Sequence, residues 1–207
     1  MSATAVAELR ALFEKDHGPG GEHAYSRSGL WIPAMEAEPV VVASITYSYV
    51  EENNAANLEV LRATSAGAVS PILDIDLSPG AGFLQALGAS NALRGGYVTD
   101  ITIWYAIGVA ALTAFPTPTL TAVTFPADGV TAAPTTTGFT LTPASALLLT
   151  TTAAGQFRGS KLVAPAAGAG AAAIQADLQK MTLRVSPTMA NTGTFDFAGA
   201  LVHFAIQ

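Results

Sequence analysis

Charge is spread so unevenly along this chain that the unevenness limits what the chain can fold into. Residues 1–62 carry 13 charged side chains, whereas residues 63–207 carry 11. Between Ile101 and Phe157 only Asp128 is charged. A soluble domain ordinarily keeps charge on its surface. Such a stretch must therefore be buried in a core, covered by another chain, or faced with Thr, Ser and small side chains. Subunit interfaces are depleted in charge at their centres, so burial against a second copy is favoured over a merely Thr-rich surface.

Composition narrows the classes further. Half of the 207 residues are hydrophobic and 12% are charged, which excludes intrinsic disorder. A net charge of −6 with no basic cluster argues against a nucleic-acid partner. The chain has no Cys, so no disulfide framework, thiolate metal site or Cys nucleophile is available. The longest apolar run, 101–115, is closed by Pro116 and Pro118 and is shorter than the roughly 20 residues of a spanning helix, so no membrane partner is expected. Glu8, Arg10, Glu14, Lys15 and Asp16 leave no apolar core for a signal peptide.

The spacing of Val6, Leu9, Leu12 and Phe13 predicts a helix over 2–16, capped by Ser2 or Thr4 and ended by Gly18-Pro19-Gly20-Gly21. With the loop at 24–39 it reads as a docking arm, residues 1–39, whose anchors are those four apolar side chains. From residue 40 the period becomes two. Val40–Tyr49, Leu58–Arg62, Ile72–Leu77 and Val98–Ile107 alternate as half-buried strands. Leu120–Phe125, Gly138–Leu141, Leu147–Thr152, Met181–Val185 and Phe195–Ile206 are further strands, and Pro79 could open a short helix through Phe83, Leu84 and Leu87. Residues 40–207 are thus expected to form a mainly β, antiparallel, jelly-roll-like sandwich behind one amino-terminal helix.

Catalytic and metal patterns are missing. His17, His23 and His203 have no zinc-motif spacing, and Gly80-Ala81-Gly82 lacks the third glycine of a dinucleotide fingerprint. Asp74 and Asp76 share one face of a strand, as hydrolase or calcium carboxylates would. The alternation ILDIDL is more simply a strand with one wet face. The chain is therefore expected to be no enzyme and to hold no cofactor. Trp31, Trp104 and Tyr97 could form a sugar-stacking platform. Trp104 lies opposite Ile101, Ile103 and Tyr105, and His203 opposite Val202 and Phe204; both are assigned to a subunit contact.

The runs GGYVTDITIWYAIGVAALTAFPTPTLTAVTF (95–125) and LQKMTLRVSPTMANTGTFDFAGALVHFAI (178–206), with few charges and no Cys, resemble β-rich structural proteins of tailed bacteriophage virions. The resemblance implies a virion location and a capsid decoration or cement protein, with a homo-oligomer, a trimer above all, and a major capsid or other virion protein as partners. The alternative is a receptor- or polysaccharide-binding domain of a head fibre, tail fibre or spike, with a cell-surface glycan as partner.

Overall fold

Alternating side chains become two antiparallel sheets that face each other. The computed structural model describes residues 28–52, 58–77, 97–124, 135–153, 155–165, 172–173 and 178–205. In chain order the strands are β1 (Ser28–Pro33), β2 (Ala37–Val40), β3 (Ile45–Glu52), β4 (Leu58–Ser65), β5 (Ile72–Asp76), β6 (Tyr97–Gly108), β7 (Leu112–Ala114) and β8 (Thr119–Thr124). They continue with β9 (Thr135–Phe139), β10 (Thr142–Pro143), β11 (Arg158–Val163), β12 (Ala172–Ala173), β13 (Leu178–Val185), β14 (Thr188–Met189) and β15 (Gly193–Ala205). The larger sheet runs β10-β11-β6-β15-β4-β3, with β1 also on β15 and β12 on β6. The smaller runs β2-β5-β13-β8-β9, and β7 and β14 form a separate pair. The fold is a mainly β, antiparallel sandwich.

The core between the sheets is built by alternation. Ile101, Ile103, Tyr105 and Ile107 of β6 meet Leu73, Ile75, Leu120, Leu183 and Val185 from the other sheet, all fully buried. Tyr105 and Phe195 stack with ring centres 5.5 Å apart, and Phe115 stands edge-on to both at 5.0 and 5.7 Å. Such aromatic pairs contribute about 0.5–1.5 kcal/mol each beyond the area they bury. Buried Tyr105 keeps its hydroxyl satisfied, 3.2 Å from Ser160 Oγ and accepting from Leu148 N at 2.9 Å.

Strand β15 buries Phe195 and Phe197 and then Ala200 and Val202, a change of parity. A bulge between Phe197 and Gly199 absorbs the extra residue, so both halves keep their apolar side toward the core. Gly199, at φ +149°, takes a backbone conformation open to glycine. This bulge also shapes the candidate site.

Several expected boundaries move. Residues 28–39 are not arm: β1 pairs β15 from Ser28↔Phe204 to Pro33↔Gly199, and β2 pairs β5. Gly29, Pro33 and Pro39 hide the strand pattern, and the partners are remote in sequence. The expected single strand Val40–Tyr49 is two strands in different sheets, separated by a turn in which Ser44 has φ +68°. Across that corner Tyr47 Oη accepts from Ile72 N at 3.0 Å and Tyr49 Oη donates to Ala37 O at 3.3 Å. Leu147–Thr152 is no strand; Leu148 bonds to the Tyr105 hydroxyl and Thr152 N donates to Ile107 O at 2.8 Å. Glu51 and Glu52 close β3. The helices expected at 2–16 and after Pro79, with Val6, Leu9, Leu12, Phe13, His17 and His23, lie outside the described residues.

Candidate functional site

The outer face of the larger sheet carries an unusual set of side chains, placed by register. One row across the sheet reads Pro33 (β1), Gly199 (β15), Trp104 (β6) and Gly159 (β11). The next reads Trp31, Leu201, Thr102 and Lys161, and the third Gly29, His203, Asp100 and Val163. Neighbouring rows are two residues apart, about 6.6 Å along the strands.

Trp31 and Trp104 are 42% and 38% exposed, both on this face because Ile32, Ile103 and Tyr105 take the inward positions. Each indole lies against a glycine. A Cβ at Gly199 would meet Trp31 Cζ2 at 2.5 Å, and a Cβ at Gly159 would meet Trp104 Cζ2 at 2.9 Å. The glycines thus leave shallow beds in which the rings lie against the sheet, one surface supported and part of the remainder open. Backbone support of this kind holds a ring in place at little entropic cost on binding.

Beside the indoles is a polar cluster. Asp100 is only 4% exposed, although it points to the outer face. Its Oδ1 lies 2.7 Å from His203 Nδ1 and 3.4 Å from Lys161 Nζ, and Oδ2 is 3.3 Å from Thr99 Oγ1. Burial alone would raise the Asp100 carboxyl. The hydrogen bond and charge of His203, with the Lys161 ammonium, outweigh it and hold the group below the usual carboxylate range. Asp100 is therefore ionised, and His203 Nδ1 donates to it.

Further along β15 the face closes. Arg62 Nε and Nη2 donate to Asp196 Oδ1 and Oδ2 at 2.7 and 2.6 Å, a bidentate pair over a nearly buried carboxylate. On the smaller sheet Arg184 holds Asp74 in the same way at 2.7 and 2.6 Å. Asp74 is thus engaged by a guanidinium across β5 and β13, and the wet-face reading of ILDIDL describes it.

Of the residues singled out by sequence, the structure brings Trp31, Trp104 and His203 onto one face. Tyr97 begins β6. Gly159, Gly199, Asp100 and Lys161 went unnoticed. Alternation alone could have put Asp100 and Lys161 on an outer face, but only strand pairing makes them neighbours of His203.

No family model matches the sequence, and no curated protein matches it. Among solved structures, a family 61 carbohydrate-binding module in complex with β-1,4-galactotriose is 6% identical, with a TM-score of 0.39, over 80% of this chain and 85% of that one. A xylan-binding family 22 module from Paenibacillus barcinonensis is 11% identical at TM-score 0.40, over 83% and 92%. A putative sugar-binding protein from Bacteroides thetaiotaomicron is 9% identical at TM-score 0.42, over 87% and 88%. Two of these neighbours are carbohydrate-binding modules and the third is a putative sugar-binding protein; none is a capsid protein. The expectation of a capsid decoration or cement protein is corrected on that finding, and the homotrimer and capsid partner expected with it are unsupported.

Proposed function

We propose that the outer face of the larger sheet is a carbohydrate-binding surface on which Trp31 and Trp104 stack against sugar rings. The observation that carries this reading is the pair of indoles bedded on Gly199 and Gly159 on one face of a rigid sheet. A sugar ring presents C–H groups on its faces and hydroxyls around its edge. The negative face of an indole suits the first, and Lys161, Thr102 and His203 are placed to meet the second. The domain acts as a binding module without turnover. The two nearly buried carboxylates of this face are engaged, Asp100 by His203 and Lys161 and Asp196 by Arg62, whereas glycoside hydrolysis needs an acid and a base free to act. Carried on a fibre or spike, such a face would attach its bearer to a cell-surface polysaccharide.

The test is affinity electrophoresis of the wild type, Trp31→Ala and Trp104→Ala against a panel of polysaccharides. The exposed part of each indole, about 40% of its surface, is worth about 1.5–2.5 kcal/mol when covered, or about 10- to 60-fold in Kd per ring. Retarded migration of the wild type that both variants lose supports the reading. Equal migration of all three in every polysaccharide overturns it.

A further inference from the structure

The polar cluster beside the two indoles has an arrangement that neutral sugar binding does not require. Its one anion, Asp100, is the buried member, with a side chain 5% exposed. Its two cationic or potentially cationic members face outward: the Lys161 side chain is 46% exposed and that of His203 28%. The carboxylate therefore works from beneath, orienting His203 through Nδ1 and leaving Nε2 as the free ring nitrogen. The neighbouring positions on this face, Gly29, Leu201, Thr102 and Val163, are uncharged.

Resting on the carbohydrate reading above, we infer that this face takes acidic glycans, chains bearing carboxylated sugars, whose carboxylates Lys161 and His203 meet together. Sugar rings lie on Trp31 and Trp104 while a carboxylate one row away meets Lys161 Nζ and His203 Nε2. The spacing fits, because Lys161 is two residues along β11 from Gly159, and His203 is two residues along β15 from Leu201, the cross-strand partner of Trp31.

Among the described residues, no other charge competes for the ligand at this spot. From β6 His203 faces Asp100, and from β11, across Asp100, it meets Lys161. Strand β1 contributes no ionisable side chain (SGLWIP), and Glu36 follows the Pro33 end of β1, away from His203. From β4 the charged group on this face is Arg62, bound to Asp196 at the far end of β15.

The experiment measures Kd by affinity electrophoresis at pH 7.5 for polygalacturonate, alginate and hyaluronate, each beside its methyl-esterified form. The expected result is at least one acidic chain bound about three- to tenfold more tightly than its ester, the range of a partly exposed charge-assisted contact. Lys161→Gln and His203→Ala should each weaken that preference, and the double variant should lose it. Melting curves of the variants check that the fold is kept. Equal binding of acid and ester, or an undiminished preference in the double variant, overturns the inference while leaving the stacking role of the indoles standing. Binding of neutral polysaccharides alone has the same meaning. If no chain of any kind is retarded, both fall together.

Discussion

The two outer faces of this sandwich answer the same physical demand in different ways. Both sheets bury an alternating apolar row, Ile101, Ile103, Tyr105 and Ile107 on one and Leu73, Ile75 and Leu77 on the other. The outer face of the smaller sheet is an ordinary solvated surface: Glu38, Asp74, Arg184 and Thr119 in one row, Asp76, Thr182, Thr121 and Gly138 in the next. The outer face of the larger sheet sets tryptophans on glycine beds and buries a carboxylate under two cationic side chains. An exposed indole held against backbone gives nothing to solubility, and a buried charge costs free energy unless partners meet it. The difference teaches that the inner faces make the fold, and it is on the larger sheet's outer face that the proposed recognition would be read.

The largest effects should come from the inner faces and should not tell the sheets apart. Ile103→Ala and Leu183→Ala each remove a fully buried side chain and are expected to cost about 2–5 kcal/mol by urea unfolding. A tenfold smaller cost on either sheet would mean that the two faces do not share one core. The glycines separate the outer faces next. Gly199→Ala puts a methyl group 2.5 Å from Trp31 Cζ2 and 2.6 Å from Ile32 O at φ +149°. It should cost about 1–3 kcal/mol of stability and weaken glycan binding. Gly138→Ala, on the solvated face, meets nothing within 4 Å and should change stability by no more than about 0.5 kcal/mol, and binding not at all. Matching losses would erase the comparison.

The arginine pairs give the smallest and sharpest contrast. Arg184 and Asp74 have side chains 51% and 19% exposed, against 28% and 8% for Arg62 and Asp196. Arg184→Ala should cost about 0.2–1 kcal/mol. Arg62→Ala leaves a nearly buried carboxylate without its bidentate partner and should cost about 1–3 kcal/mol. Thermal melts at low and at high salt would separate them, since screening weakens only the exposed pair appreciably.

Much of the sandwich was legible because period-two alternation is local: β4, β5, β6, β8, β13 and β15 all show it in their own residues. The strands that escaped notice, β1, β2, β7, β10, β11, β12 and β14, are short or interrupted by Gly and Pro, and they exist because a neighbour supplies hydrogen bonds. The low charge of 101–157, read alone, favours subunit burial. Within the described residues much of it belongs to the chain's own core and to Thr-rich positions such as Thr136, Thr137 and Thr151. Trp104 and His203 were placed opposite the core correctly, since facing follows from alternation.

By itself, then, the sequence determined the class of fold, the inward residues of its regularly alternating strands, and that Trp104 and His203 face out. Each of these depends only on the order of apolar and polar side chains along one strand. Tertiary structure alone decided that Trp31 lies over Gly199 and Trp104 over Gly159, and that Asp100, Lys161 and His203 meet. Those contacts join residues as far apart as 28–33 and 199–204, and the bulge at Gly199 sets their register. Pairing between distant strands is chosen by how well the whole core closes, a property that no single stretch of residues carries.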